Sequence, residues 1–308
     1  MHNHRKTSAL LDEALAKAIP KTVPRLKLLF AALLDEIDKP GDALTSVFRS
    51  KQGHEVVEVA TIKRLEHGNK SPFLHLDGTA NPIAAQTVFG DLKDNHFPIE
   101  RNAEITLITG RSFAKMGILG RGGKRVLDGR RGEESRQLRE DLKDVIASYP
   151  GAAIFSNKPV IEALGLEGNP MAGHFGAIRG RNTWEDASAV IIIGREEPPI
   201  EAVERIARAY SAKIGHDFQP ANEYIKEMRG ARLADGTGHP VTVRRHPDPI
   251  GDLVLKMLRD AEIEQAIDRV RLIHNRTPKQ VFILAEVAPD RTVHNVGKGL
   301  DCKVGGSR

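Results

Sequence analysis

Two arginine-bearing segments carry the side chains best suited to chemistry in this sequence. In Gly173-His174-Phe175-Gly176-Ala177-Ile178-Arg179-Gly180-Arg181-Asn182, three glycines allow a ligand to approach the backbone closely. Arg179 and Arg181 supply forked donors matched to phosphate. In Glu264-Gln265-Ala266-Ile267-Asp268-Arg269-Val270-Arg271, Gln265 and Arg269 stand four residues apart on a helix that feeds the apolar run Val281-Phe282-Ile283-Leu284. That arrangement can present an arginine to a neighbouring nucleotide. Each segment also has a plainer reading. The first is a glycine-rich turn with solvated arginines, as basic surfaces often carry. The second is an exposed helix face where Glu262, Glu264, Asp268, Arg269 and Arg271 form ion pairs.

An ATP site needs a phosphate loop of the form Gly-x-x-x-x-Gly-Lys-Ser/Thr. The nearest approach is Gly122-Gly123-Lys124-Arg125, where Ile118 holds the first glycine position and Arg125 replaces the hydroxyl. The sequence contains no such loop. Leu33-Leu34-Asp35-Glu36 resembles the acidic, magnesium-binding end of a buried strand. The preceding Leu28-Leu29-Phe30-Ala31-Ala32 favours helix instead, with Asp35 and Glu36 on its solvent side. His246 has no second histidine at ligand spacing, so no metal site is expected there.

The elements that would position these groups follow from pattern. With 308 residues, 40% hydrophobic and 28% charged, the chain can bury one large core or two modest ones. A net charge of +5 permits phosphate partners without requiring them. Only 5% of residues are aromatic, which argues against extended base-stacking platforms and favours backbone contacts to any nucleic acid. A single cysteine, Cys302, excludes an internal disulfide and a cysteine zinc cluster. No apolar stretch approaches the roughly 18 residues of a membrane span. Neither a secretory signal nor a membrane partner is expected, and a cytoplasmic location is the simplest reading.

Helices are predicted over 7–19 and 25–38, a turn over 38–42 and a strand over 54–62. From Phe73 the rhythm becomes strand, turn, helix. Apolar strands fall at 73–76, 105–108, 152–155 and 189–193, helices at 133–148 and after Pro198-Pro199, and a mobile basic glycine-rich loop at 117–132. The implied class is α/β, with a mostly parallel sheet flanked by helices and preceded by a helical N-terminal segment. Parallel sheets place their chemistry beyond the carboxyl ends of strands, here residues 77–80, 156–158 and 194–195.

Taken in order, these segments resemble the C-terminal half of a superfamily 2 helicase. Leu76-Asp77-Gly78-Thr79-Ala80 is similar to the motif closing the first RecA-like domain, and Ala153-Ile154-Phe155-Ser156-Asn157-Lys158 to the fourth motif. Residues 176–193 resemble the fifth motif and Gln265–Arg271 the sixth. The nearest likeness is to the helicase-like part of phage and plasmid primase-helicases, over residues 73–290.

The resemblance implies a RecA-like domain over 73–308, with residues 1–72 a remnant of a first ATPase domain or an insert. It gives Arg269 and Gln265 catalytic roles toward ATP and Mg bound by an N-terminal helicase half. Gly176, Arg179, Gly180, Asn182 and Arg271 would line the nucleotide, while Thr79, Ser156, Lys158, His174 and Phe175 would meet DNA. Three positions depart from the family: Asp268 stands where glycine is usual, Leu272 where a second arginine is usual, and Gly78 where alanine is usual. A catalytically inert nucleic-acid-binding module and a decayed remnant are the alternatives.

Overall fold

The computed structural model describes residues 23–37, 45–52, 54–62, 74, 79, 81–90, 92–93, 95, 97, 101–120 and 130–300. Its centre is a six-stranded, all-parallel sheet. In chain order the strands are β3 (Ala103–Thr109), β4 (Ala153–Ser156), β5 (Ala172–His174), β6 (Ala189–Ile193), β9 (Lys279–Leu284) and β10 (Asn295–Lys298). In space they run β10-β3-β9-β6-β4-β5. The protein is therefore α/β, as its alternating pattern predicts. The middle strands are apolar on both faces, and all five residues of β6 are buried. That is what a parallel sheet covered on both sides demands.

The period-2 alternation sorts these residues into two cores. Ala189, Ile191, Ile193, Phe282 and Leu284 face one layer, with Phe113, Ile118, Leu138, Leu142 and Val160. That layer holds α3 (Lys115–Leu119), α4 (Arg130–Ala147) and α5 (Lys158–Ala163). Val190, Ile192, Val281 and Ile283 face the other layer, with Ile178, Trp184, Ile263, Ala266, Ile267 and Val270. There lie the 175–188 segment, α7 (Pro249–Asp268) and a hairpin, β7 (Ile225–Arg232) and β8 (Gly238–Arg245). The chain steps outward from β3 to β5 along one face and returns to β10 along the other. Right-handed crossovers require that change of face when the direction reverses.

The predicted strands at 105–108, 152–155 and 189–193 match β3, β4 and β6. The helix predicted from 133 begins earlier, at Arg130. The glycine-rich segment is shorter than its composition suggests. Residues 115–119 form α3, with Ile118 fully buried and its carbonyl accepting from Arg139. Ile118 is a core residue, which accounts for an isoleucine in the glycine position of the false phosphate loop. Residues 121–129 lie outside the described residues, as do the predicted helix over 7–19 and the turn over 38–42.

Before the sheet come α1 (Val23–Ile37), β1 (Val47–Gln52), β2 (His54–Val59) and α2 (Pro82–Phe89). The helical reading of Leu33–Glu36 holds, but Glu36 is not on the solvent side. It is buried and accepts from the N–H groups of Thr45 and Ser46, at 2.8 and 3.1 Å. Helix α6 (Ile200–Ile214) carries this unit: Arg205 makes a two-pronged pair with Glu58, and Arg208 donates to the Thr45 carbonyl while lying over the Phe48 ring. No helix among the described residues is long and apolar enough to cross a membrane.

His246 and Asp248 join α6 to α7. His246 is fully buried; its Nδ1 accepts from the Asp248 N–H, and its Nε2 reaches Glu204 at 3.2 Å. Asp248 caps α7 by accepting from Ile250 and Gly251, and its other oxygen binds the Gln219 N–H and His216. Burial works to raise the Asp248 carboxyl, but the Gln219 N–H, His216 and the Gly251 N–H outweigh it and hold it below its ordinary value. A depressed carboxyl contributes stability above its unfolded pKa of about 3.9 and loses it as pH falls through the folded value. Asp248→Ala should therefore cost about 1 kcal/mol or more near neutral pH. In denaturant titrations the gap to the parent should close as the pH drops below that window.

Candidate functional site

The resemblance assigns roles at both ends of the parallel strands, and the structure sets them in different surroundings. At the carboxyl ends, Ser156 is fully buried and its hydroxyl donates to the Ile193 carbonyl at 2.6 Å. Lys158, the first residue of α5, is 68% exposed, with Glu162 3.9 Å from its Nζ. Between them Asn157 is buried with its Oδ1 unpartnered. Gly194 follows β6 at φ +72°, and an added Cβ would sit 2.7 Å from the Phe113 carbonyl. Only glycine fits there. Arg195 is committed to the frame: it donates to the Glu286 carbonyl and approaches Glu197 at 3.7 Å. Burial depresses its pKa against the pull of Glu197. Thr79 lies in a turn just before Asn81, which caps α2, while residues 76–78 and 80 of that motif lie outside the described residues.

The glycine-rich loop leaves the carboxyl end of β5 and crosses to the amino end of β6. His174 ends β5, with its Nδ1 3.0 Å from the Phe175 carbonyl. Phe175 turns inward, joins the core and offers no ring to solvent. Gly173 serves packing rather than ligand approach, since a Cβ would lie 2.9 Å from Trp184 and 3.1 Å from Phe155. Gly176 and Gly180 sit at φ +79° and +70° with open space beside them, which is where the loop can admit a ligand. Asn182 is exposed, and its carbonyl accepts the Glu185 N–H.

One buried carboxylate on α7 holds this loop. Glu262 accepts from the Gly176 N–H at 2.9 Å and from Arg179 Nε at 2.9 Å, with a second contact from Arg179 Nη2. Within the next two turns the same helix delivers Gln265 and Arg269. Gln265 is half-buried. Arg269 caps the helix, its Nη1 donating to the Arg181 carbonyl at 3.3 Å while its Nε is buried without a partner. The loop and the helix end, 88 residues apart in sequence, thus form one arginine-rich surface. Arg271 adjoins it, paired with Glu185 at 2.8 Å.

Arg271 adopts φ +51°, the one positive value among the described non-glycine residues. Asn275 and Lys279 stabilise this bend by donating to the Val270 carbonyl, and Asn275 also to that of Arg271. Burial lowers the Lys279 pKa against the opposing Asp186 and Glu185.

Two of the departures from the family pattern, at Asp268 and Leu272, have structural explanations, while Gly78 lies outside the described residues. Asp268 is gripped by Arg101 through two bonds of 2.8 and 3.1 Å and by Arg291 at 3.0 Å. Its charge is directed at these arginines. Leu272 is 1% exposed and belongs to the core beneath α7. A charge there has nowhere to go. Leu272→Arg should destabilise the chain by about 3 kcal/mol or more, read as a lower urea midpoint. A midpoint within error of the parent would show that the position tolerates the family's arginine.

Spacing allows either a nucleotide-facing arginine or an exposed, ion-paired helix face, and the structure shows ion pairing for the acids of this helix. Glu262, Glu264 and Asp268 are structural ion-pair partners, with Glu264 held by Arg291. Arg269 instead faces the loop, donating to the Arg181 carbonyl. The role of Glu262 was not legible, because no periodicity links residue 262 to residues 176 and 179. Among the described residues no cluster of acidic, histidine or cysteine side chains could hold a metal ion. The chain matches no protein-family model, no curated protein and no solved structure.

Proposed function

We propose that this chain is the second, RecA-like domain of a DNA helicase or ATPase of mobile-element replication. It works on ATP held by an N-terminal half that supplies the phosphate loop. The observation that carries the reading is the meeting of the Gly176–Asn182 loop with Arg269. The two segments with the most specific resemblance are far apart in sequence and adjacent in space. The all-parallel six-stranded sheet is compatible with a RecA-like domain.

The residues present fit one side of a nucleotide site. Arg269 is held toward the loop by the Arg181 carbonyl with its Nε left without a partner, and Gln265 lies one turn away on the same helix. ATP supplies the phosphoryl group, and the partner half supplies the phosphate loop and the magnesium-binding carboxylates. Arg269 places positive charge against the phosphoryl oxygens, a contribution of about 10³–10⁵ in rate where such arginines have been removed. Arg179 and Arg271, each ion-paired, stand at the rim of the same surface. On the DNA side, Lys158 offers an exposed cation for the backbone, while Ser156 keeps the turn in place from within.

The chain alone should show no ATP turnover. Mixed with a candidate P-loop-bearing half, it should give DNA-stimulated hydrolysis that Arg269→Ala lowers by at least about 10³-fold. Reconstituted turnover that Arg269→Ala leaves unchanged refutes the assigned role. The burial of Leu272 favours a second reading, an inert nucleic-acid-binding module, because it removes one of the two family arginines. That reading predicts DNA binding with no turnover in any mixture.

A further inference from the structure

The β7–β8 hairpin sorts its charges by face. Residues 227, 229, 231, 241, 243 and 245 point toward the protein: Ala231, Val241 and Val243 are core. Glu227 pairs with Arg229 and Arg245 on that side, and Arg229 also reaches Asp252 of α7 at 2.8 Å. Every charge on this face is matched.

The opposite face bears Lys226, Met228, Gly230 and Arg232 on β7, and Gly238, Pro240, Thr242 and Arg244 on β8. It holds three cations and no acid. Lys226 lies directly across from Arg244 in the ladder, an arrangement that like charges make unfavourable. Arg244 is partly relieved by Glu197 at 3.3 Å, yet stays 51% exposed. Arg232 lies six residues along the strand, about 20 Å away. Between these ends the cross-strand pair Gly230–Pro240 leaves a low middle, with nothing within 4 Å of where a Gly230 Cβ would stand. Met228, 71% exposed, stands beside it.

We infer that this outer face is a binding surface for the phosphate backbone of a single-stranded nucleic acid. Cations at both ends of a flat ribbon suit an elongated polyanion better than a small anion, which could reach only one end. A half-open cavity of about 560 Å³ lies at the Lys226–Arg244 end, lined also by Ile200, Glu223, Tyr224 and Ile225. Its lining mixes apolar side chains, which can take a base, with the two cations that would meet the phosphate and one acid, Glu223. This surface is separate from the arginine loop. Glu262 holds the loop, whereas Asp252 and Arg259 of α7 hold the hairpin, Arg259 through the Arg244 carbonyl. The inference does not depend on the ATPase reading.

The test is a salt titration of the whole chain with a mixed-sequence single-stranded DNA oligonucleotide, followed by fluorescence anisotropy. Replacing Lys226, Arg232 and Arg244 together with glutamine should weaken binding more than tenfold at low salt. It should also reduce the slope of log K against log salt by about 2, near 0.7 for each lost contact. Lys226→Glu alone should act in the same direction, which covers the case of a triple variant that folds poorly. An unchanged slope in the folded variants overturns the proposal. So does equal competition by poly-glutamate of matched charge, which would assign the face to an acidic protein.

Discussion

The Asp268 carboxylate, held between Arg101 and Arg291, is the contact on which the arrangement of the candidate site depends. It fastens the last turn of α7 to the start of β3 and to the segment leading into β10. Everything placed by that turn follows from it: the Arg269 cap, the left-handed bend at Arg271 and the buried Leu272. The partners are partly exposed, so each pair contributes modestly to stability and is screened by salt. Its larger effect is positional. A helix end free to shift by one residue would turn Arg269 by about 100° away from the loop.

Helix α7 works on two sides. Through Glu262 it fixes the glycine-rich loop, and through Asp252 and Arg259 it fixes the hairpin. The buried Glu262 oxygens satisfy a backbone N–H and a guanidinium together, and removing one side of such a pair is costly. The loop and the arginine end therefore move as one body with α7. That rigidity suits a surface that must meet a ligand in a set geometry.

The strand rhythm was legible because the central strands are continuous apolar runs, and the helices because their apolar spacing is regular. The hairpin was not. Its first strand carries Lys226, Glu227, Arg229 and Gly230 and sends only Ala231 to the core, so no apolar run marks it, and the β-branched Val241-Thr242-Val243 of the second strand has no patterned partner. Asp235-Gly236, a turn signal that the structure bears out at φ +84°, could have located it. Glu36 was misplaced to solvent because its partners, the N–H groups of Thr45 and Ser46, come from a strand start that no pattern announces. In the candidate site the arginines were visible as types in a pattern. The acids that sort them were not, since ion pairing across 83 or 167 residues leaves no local trace.

If the Arg269 end of α7 closes on a nucleotide held by another polypeptide, association between the two should require that nucleotide. Sedimentation of the chain with a candidate P-loop-bearing half, with and without a non-hydrolysable ATP analogue, measures this directly. The account predicts a complex that forms with the analogue, weakens without it and is lost in Arg269→Ala. A complex indifferent to both the analogue and the substitution would contradict it.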